Sequence, residues 1–211
     1  MKTDELIRLL SQDARVPMRL GRMLLLAIGL GVLVSGVLLV STVGLRHNLV
    51  SAVETARVAF KIGATLLLAA IACGLALRIV RPGVSTKPFS RALLLPLALL
   101  VAAVAAELLV LPAAAWGPSL IGLHAAFCVF FIPILSLAPL TGLIWAMRGG
   151  APEDPGLAGA AAGLAAGAIG AALYAWHCPD DSPLFVAAWY GLAIAIVTAA
   201  GYGIGRRALR W

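Results

Sequence analysis

Six long apolar runs, at 23–43, 60–80, 93–111, 127–147, 157–176 and 184–204, set the terms for any fold this chain can adopt. Each is close to the roughly 20 residues with which a helix crosses about 30 Å of hydrocarbon. In lipid the backbone must satisfy its own hydrogen bonds, which a helix does internally. The chain is therefore read as an all-α polytopic membrane protein, a six-helix transmembrane bundle. Composition agrees, because 62% hydrophobic and 12% charged residues leave too little polar surface to coat a water-facing globule. The first run is expected to stay as an anchor, its apolar part being much longer than the roughly 7–15 residues of a signal-peptide core.

The cations sort by side. Lys2, Arg8, Arg15, Arg19, Arg22, Arg78, Arg81, Lys87, Arg91, Arg148, Arg206, Arg207 and Arg210 fall on one side, against Arg46, Arg57 and Lys61 on the other. Cytoplasmic loops keep an excess of Lys and Arg, so both termini are expected in the cytoplasm. Lys61, near a helix end, is expected to snorkel outward. Topology and contact with anionic headgroups account for the net charge of +7, so the lipid bilayer is an expected partner and nucleic acid is not.

Beyond the spans the longest stretch is 1–22, so the chain divides into an N-terminal cytoplasmic arm at 1–22 and a transmembrane domain at 23–211. The arm predicts a short amphipathic helix, with Thr3 as N-cap, Asp4 and Glu5 at the positive end of the helix dipole, and Pro17 beyond its end. Leu6, Ile7, Leu9 and Leu10 share one arc, and Asp13 falls inside it. A helix lying on lipid avoids an acid on its buried face. A protein groove with apolar pockets and a basic group suits Leu6, Ile7, Leu10 and Asp13 better. The other reading is an amphipathic lead-in resting on the bilayer.

One polar knot interrupts the grease: "YAWHCPDDSPLF", 174–185, between the fifth and sixth runs. Pro179 and Pro183 stop helix, and Asp180, Asp181 and Ser182 suit a tight turn. This turn is expected on the outer side, with its thiol exposed to an oxidising compartment. Cys128, at the start of the fourth run, is placed level with Cys178, and His124 shares its helical face. Three readings stand. Cys128 is a small buried hydrophobe with His177 an interfacial polar residue, or the two thiols form a redox pair, or they join His124, His177, Asp180 and Asp181 in a soft-metal site. No CxxC or HxxxH spacing marks the last.

Elsewhere, Cys73 is expected to serve packing, and Glu107, the lone acid inside a run, either reaches water or pairs with Lys61 or Arg57. Gly156, Gly159, Gly163, Gly167, Gly201 and Gly205 are spaced for close helix approach and offer a candidate sliding surface. A small ion or metal transporter or channel, with Glu107 and the His and Cys cluster as pathway, is the alternative function, but it has few polar groups to work with at mid-depth. No acid, base and nucleophile form a facing set, so no enzymatic activity and no constitutive cofactor are expected.

The opening "MKTDELIRLLSQD", the loop "HCPDDSPLFVAAWYG" and the ending "GRRALRW" together resemble the NrsF family of bacterial six-span membrane anti-sigma factors. The resemblance implies an inner-membrane protein that holds an extracytoplasmic-function sigma factor inactive at its cytoplasmic face. It further implies that Cys128 and Cys178 take part in sensing stress such as a heavy metal, through a transient ion or oxidation at the pair, and in releasing that partner.

Overall fold

The computed structural model describes residues 20–210. Leu6, Ile7, Leu10 and Asp13 lie outside the described residues, as does nearly all of the arm.

Six helical segments long and apolar enough to cross a membrane account for the fold: Leu20–Thr42, Ala56–Ile79, Lys87–Val110, Ala113–Met147, Pro155–Tyr174 and Pro183–Ala208. All the apolar runs became helices, shifted at their ends by a few residues. The first begins at Leu20, so Leu20, Gly21 and Arg22 belong to the span rather than to the arm. The fourth is preceded by a separate short helix, Ala113–Ile121, which turns at Gly122 before Ala125–Met147 begins. Gly122 has φ +60° and lies against the Phe185 ring, a position that combines a left-handed backbone with no room for a side chain. The sixth opens with one turn, Pro183–Phe185, then a π-helical segment, Val186–Tyr190, and continues as Gly191–Ala208.

The fifth span is the hub. It packs against the second, fourth and sixth spans. Its composition explains this, because a helix of Gly and Ala lets three neighbours approach its backbone at once. Gly156, Ala158, Gly159, Ala162, Gly163, Ala166, Gly167 and Gly170 are all buried. The seam to the sixth span is main chain against main chain: a Cβ added at Gly163 would stand 2.5 Å from the Val197 carbonyl and 2.8 Å from the Thr198 Cα. Gly159 and Gly201 face each other across the same seam with less space still. Asp154 starts the hub helix, its carboxylate accepting from the amides of Gly156 at 2.7 Å and Leu157 at 3.0 Å, with Pro155 following as the first helical residue.

By contrast, the first span buries only Leu24, Gly31, Ser35 and Leu39, a single helical stripe. Leu25, Leu33 and Val37 face outward. The grooves between spans are lined by apolar groups; one of about 250 Å³ runs past Leu68, Leu97, Leu100, Val186 and Ile194. Cys73 packs against the interior clusters beside Ala72, as expected of a packing residue.

Candidate functional site: a buried dithiol under a stapled loop

Cys128 and Cys178 meet. Their sulfurs lie 3.7 Å apart, and neither residue has any solvent exposure. The expectation of an exposed thiol is corrected here. Cys178 follows the last turn of the fifth span, its amide still bonded to the Tyr174 carbonyl at 3.1 Å, which points the sulfur inward. Cys128 lies in the first turn of the fourth span. Ile132, Tyr174, Phe185 and Tyr190 surround the pair in one apolar cluster. The Tyr174 ring stacks on Phe131 at 6.2 Å and sits 6.1 Å from that of Tyr190, whose buried hydroxyl has no hydrogen-bond partner.

The loop that carries Cys178 is held by charge, and the sequence reading missed the agent. Lys61 does not snorkel outward: its ammonium is fully buried. It donates to the Cys178 carbonyl at 2.7 Å, to the Asp180 carbonyl at 3.2 Å and to the Asp181 carboxylate at 2.5 Å. A buried ammonium is tolerable only when paired and fully bonded, and this loop supplies an acceptor for each of its hydrogens. The signal was present in the sequence, since a cation inside an apolar run is a functional hypothesis by default. Topology hid its partner, because the acceptors lie more than a hundred residues away.

Asp181 also accepts from Arg46 at 2.7 Å, tying the loop to the connection between the first two spans. Asp180 turns the other way. Its carboxylate accepts from the amides of Leu123 at 3.3 Å and His124 at 2.9 Å, and contacts His124 Nδ1 at 3.1 Å. It thereby serves as a borrowed cap for the fourth span, whose own N-cap residue, His124, makes no side-chain cap bond. Glu107 completes the set from the third span: it is buried, accepts from the Ser182 hydroxyl at 2.7 Å and the Leu184 amide at 3.2 Å, and lies 3.1 Å from the Arg57 guanidinium as an ion pair without hydrogen-bond alignment. Of the two partners weighed for Glu107, the structure selects Arg57.

His177 goes elsewhere, its Nδ1 3.0 Å from the Gly44 carbonyl. Both aspartates and both histidines of the sequence-derived set are thus engaged away from the sulfurs. Among the described residues no group of three or more His, Cys, Asp or Glu converges in a metal-binding cluster. A thiophilic ion entering here would meet two sulfurs as its protein ligands, whereas a disulfide needs them to close by about 1.7 Å to a bond of about 2.05 Å. The Cys128 thiol, hydrogen-bonded to the Cys178 sulfur, and after it the Lys61 ammonium, hold the Cys178 thiol below the ordinary thiol range, at about 7.

Fold and site define a class: a six-span helical membrane protein whose polar cluster sits at one end of the bundle, closed over two reduced cysteines. The family described as "Negative regulator of sigma F", NrsF, matches residues 10–211. The chain is 34% identical over 214 residues to the probable anti-sigma-F factor NrsF of Azospira oryzae, covering all of both chains. It is 45% identical over 80 residues to the anti-sigma-F factor NrsF of Caulobacter vibrioides, covering 38% of this chain and 37% of that one. No solved structure matches. The chain belongs to the NrsF family of negative regulators of sigma F.

Proposed function

We propose that this chain is an inner-membrane anti-sigma factor, with both termini in the cytoplasm, that sequesters an extracytoplasmic-function sigma factor and releases it when Cys128 and Cys178 react with a heavy-metal ion or are oxidised. Family membership supports the sigma-factor partner. The arm residues Leu6, Ile7, Leu10 and Asp13 are the proposed contact set, on the strength of their amphipathic pattern. The cysteine pair is the proposed sensor, and one observation carries it: two free thiols from different spans lie 3.7 Å apart inside an ion-paired loop. Either closing or spreading the sulfurs displaces the main chain at Cys178, and Lys61, Arg46 and Glu107 connect that loop to the second and third spans and to the connection after the first. Such a switch can move the sigma-factor equilibrium only by the difference in affinity of the signal for the two bundle states. His124, His177, Asp180 and Asp181 are assigned to holding the loop, outside the sulfur chemistry. The apolar lining of the inter-span grooves gives an ion pathway no support.

Two variants test this reading. Cys128→Ser with Cys178→Ser is expected to keep the sigma factor sequestered and to abolish induction, whereas normal induction removes the sensor. Asp13→Ala with Leu10→Ala is expected to weaken co-purification of the sigma factor, and undiminished co-purification removes the arm from the mechanism.

A further inference from the structure

Pro139 lies inside the fourth span and has no amide hydrogen, so the carbonyl of Leu135, four residues earlier, loses its helical donor. That carbonyl is not left bare. The Ser35 hydroxyl of the first span donates to it at 2.5 Å in a buried contact. Serine and threonine within helices usually return the hydroxyl to their own preceding turn, as Thr42, Ser136 and Thr198 do here. Ser35 reaches across instead.

One turn before Ser35, Gly31 is pressed onto Pro139, where an added Cβ would stand 2.6 Å from the proline Cα. A further turn back, Ala27 meets Gly142, with 3.4 Å left for a Cβ on that glycine. Ala27, Gly31 and Ser35 are thus one small-residue stripe seated on the proline bend of the fourth span. The fourth span is the first span's principal neighbour. Cys128 lies on that same fourth span, roughly 16 Å from Pro139 by helical rise, and the first span leads back through Leu20 into the N-terminal arm.

We propose that Ser35, Gly31 and Pro139 form the joint by which the fourth span sets the position of the first span and of the arm it carries, with Ser35 the positioning residue. The consequence for regulation rests on the reading that the chain holds a sigma factor. A shift of the fourth span at Cys128 then reaches the arm through a fixed contact between two helices, without passing through the hub.

The test is a double-mutant cycle on the full-length chain, with Ser35→Ala, Pro139→Ala, the pair together, and Ser35→Thr as the conservative variant. In purified protein in nanodiscs, Ser35→Ala is expected to lower the unfolding midpoint when Pro139 is present and to have little effect once Pro139→Ala has returned an amide to Leu135. Equal drops in both backgrounds overturn the joint. In a bacterial host carrying the cognate sigma factor, the same variants are read with a sigma-dependent reporter, with Cys128→Ser and Cys178→Ser present so that thiol chemistry plays no part. At equal membrane abundance, Ser35→Ala is expected to change reporter output about five-fold or more, the low end of usual coupling between sites, and Ser35→Thr to restore it. Unchanged output beside an intact cycle means the bond joins two helices without positioning the arm, which overturns the proposal. A reporter indifferent even to deletion of the whole chain removes the sigma-factor reading and the regulatory consequence with it.

Discussion

The Lys61 ammonium donates to the main-chain carbonyl of Cys178 at 2.7 Å, from a position with no solvent exposure. This one bond makes a charge of the second span responsible for where a thiol of the fifth-to-sixth loop sits. Lys61→Met keeps the aliphatic stem and removes the charge, leaving the Cys178 and Asp180 carbonyls without their donor. The expected loss is about 2–3 kcal/mol, the usual worth of bonds to a charged group. Thermal unfolding in mild detergent measures it. Labelling of Cys178 by a water-soluble maleimide is expected to accelerate in parallel, and unchanged labelling would show that the loop stays closed without Lys61.

Asp180 caps a helix that begins two spans away in the fold's circuit, so its amide and alanine replacements are expected to part company. Asp180→Asn retains an acceptor for the Leu123 and His124 amides, whereas Asp180→Ala leaves both without one. The alanine variant is expected to lose about 1 kcal/mol, as for a missing N-cap, and the asparagine variant much less. Comparison of the two unfolding midpoints decides it; equal losses would mean that the ion pair with His124, and not the cap, is what counts.

Glu107 separates charge from hydrogen bonding in the same way. Glu107→Gln preserves an acceptor for Ser182 and Leu184 and gives up the pair with Arg57, which is half exposed. Glu107→Ala gives up everything. Because exposed ion pairs contribute about 0–1 kcal/mol, the glutamine variant is expected to remain close to the parent and the alanine variant to fall by about 1–3 kcal/mol through unsatisfied groups. Hydrogen exchange at the Leu184 amide reports the difference directly.

Close backbone approach predicts where a single carbon is intolerable. Gly163→Ala would put its Cβ 2.5 Å from the Val197 carbonyl, while Gly63→Ala meets nothing within 4 Å. Overpacking of this kind costs about 1–3 kcal/mol, so the first is expected to lower the unfolding midpoint and the second to leave it in place or raise it slightly. Parent-like stability of Gly163→Ala would show that the two spans can separate at small cost.

The parts of the site that were legible in the sequence are those that depend on local chain chemistry. The double proline and paired acids of the loop marked a turn, the position of Cys128 at the start of an apolar run placed it level with Cys178, and Glu107 was recognised as an acid out of place. The roles were less legible. Asp180 and Asp181 beside a cysteine and a histidine look like metal ligands on paper, yet their carboxylates point at His124, Lys61 and Arg46. Nothing within the loop itself distinguishes a carboxylate aimed at a metal from one aimed at an ammonium. Ser35 was silent altogether, because a serine in an apolar helix ordinarily bonds to its own backbone.

By itself the sequence determined the six spans and the small-residue character of the fifth, because hydrocarbon selects for length, hydropathy and internally bonded backbone, and each of these is a property of a continuous stretch. Only the tertiary structure decided that the thiols are enclosed rather than exposed, that Lys61 is a clasp rather than an anchor, and that Ser35 answers the carbonyl orphaned by Pro139. Those outcomes depend on which helix faces meet, and in this bundle a buried polar group finds its partner on another span, a hundred or more residues along the chain, because lipid offers it none.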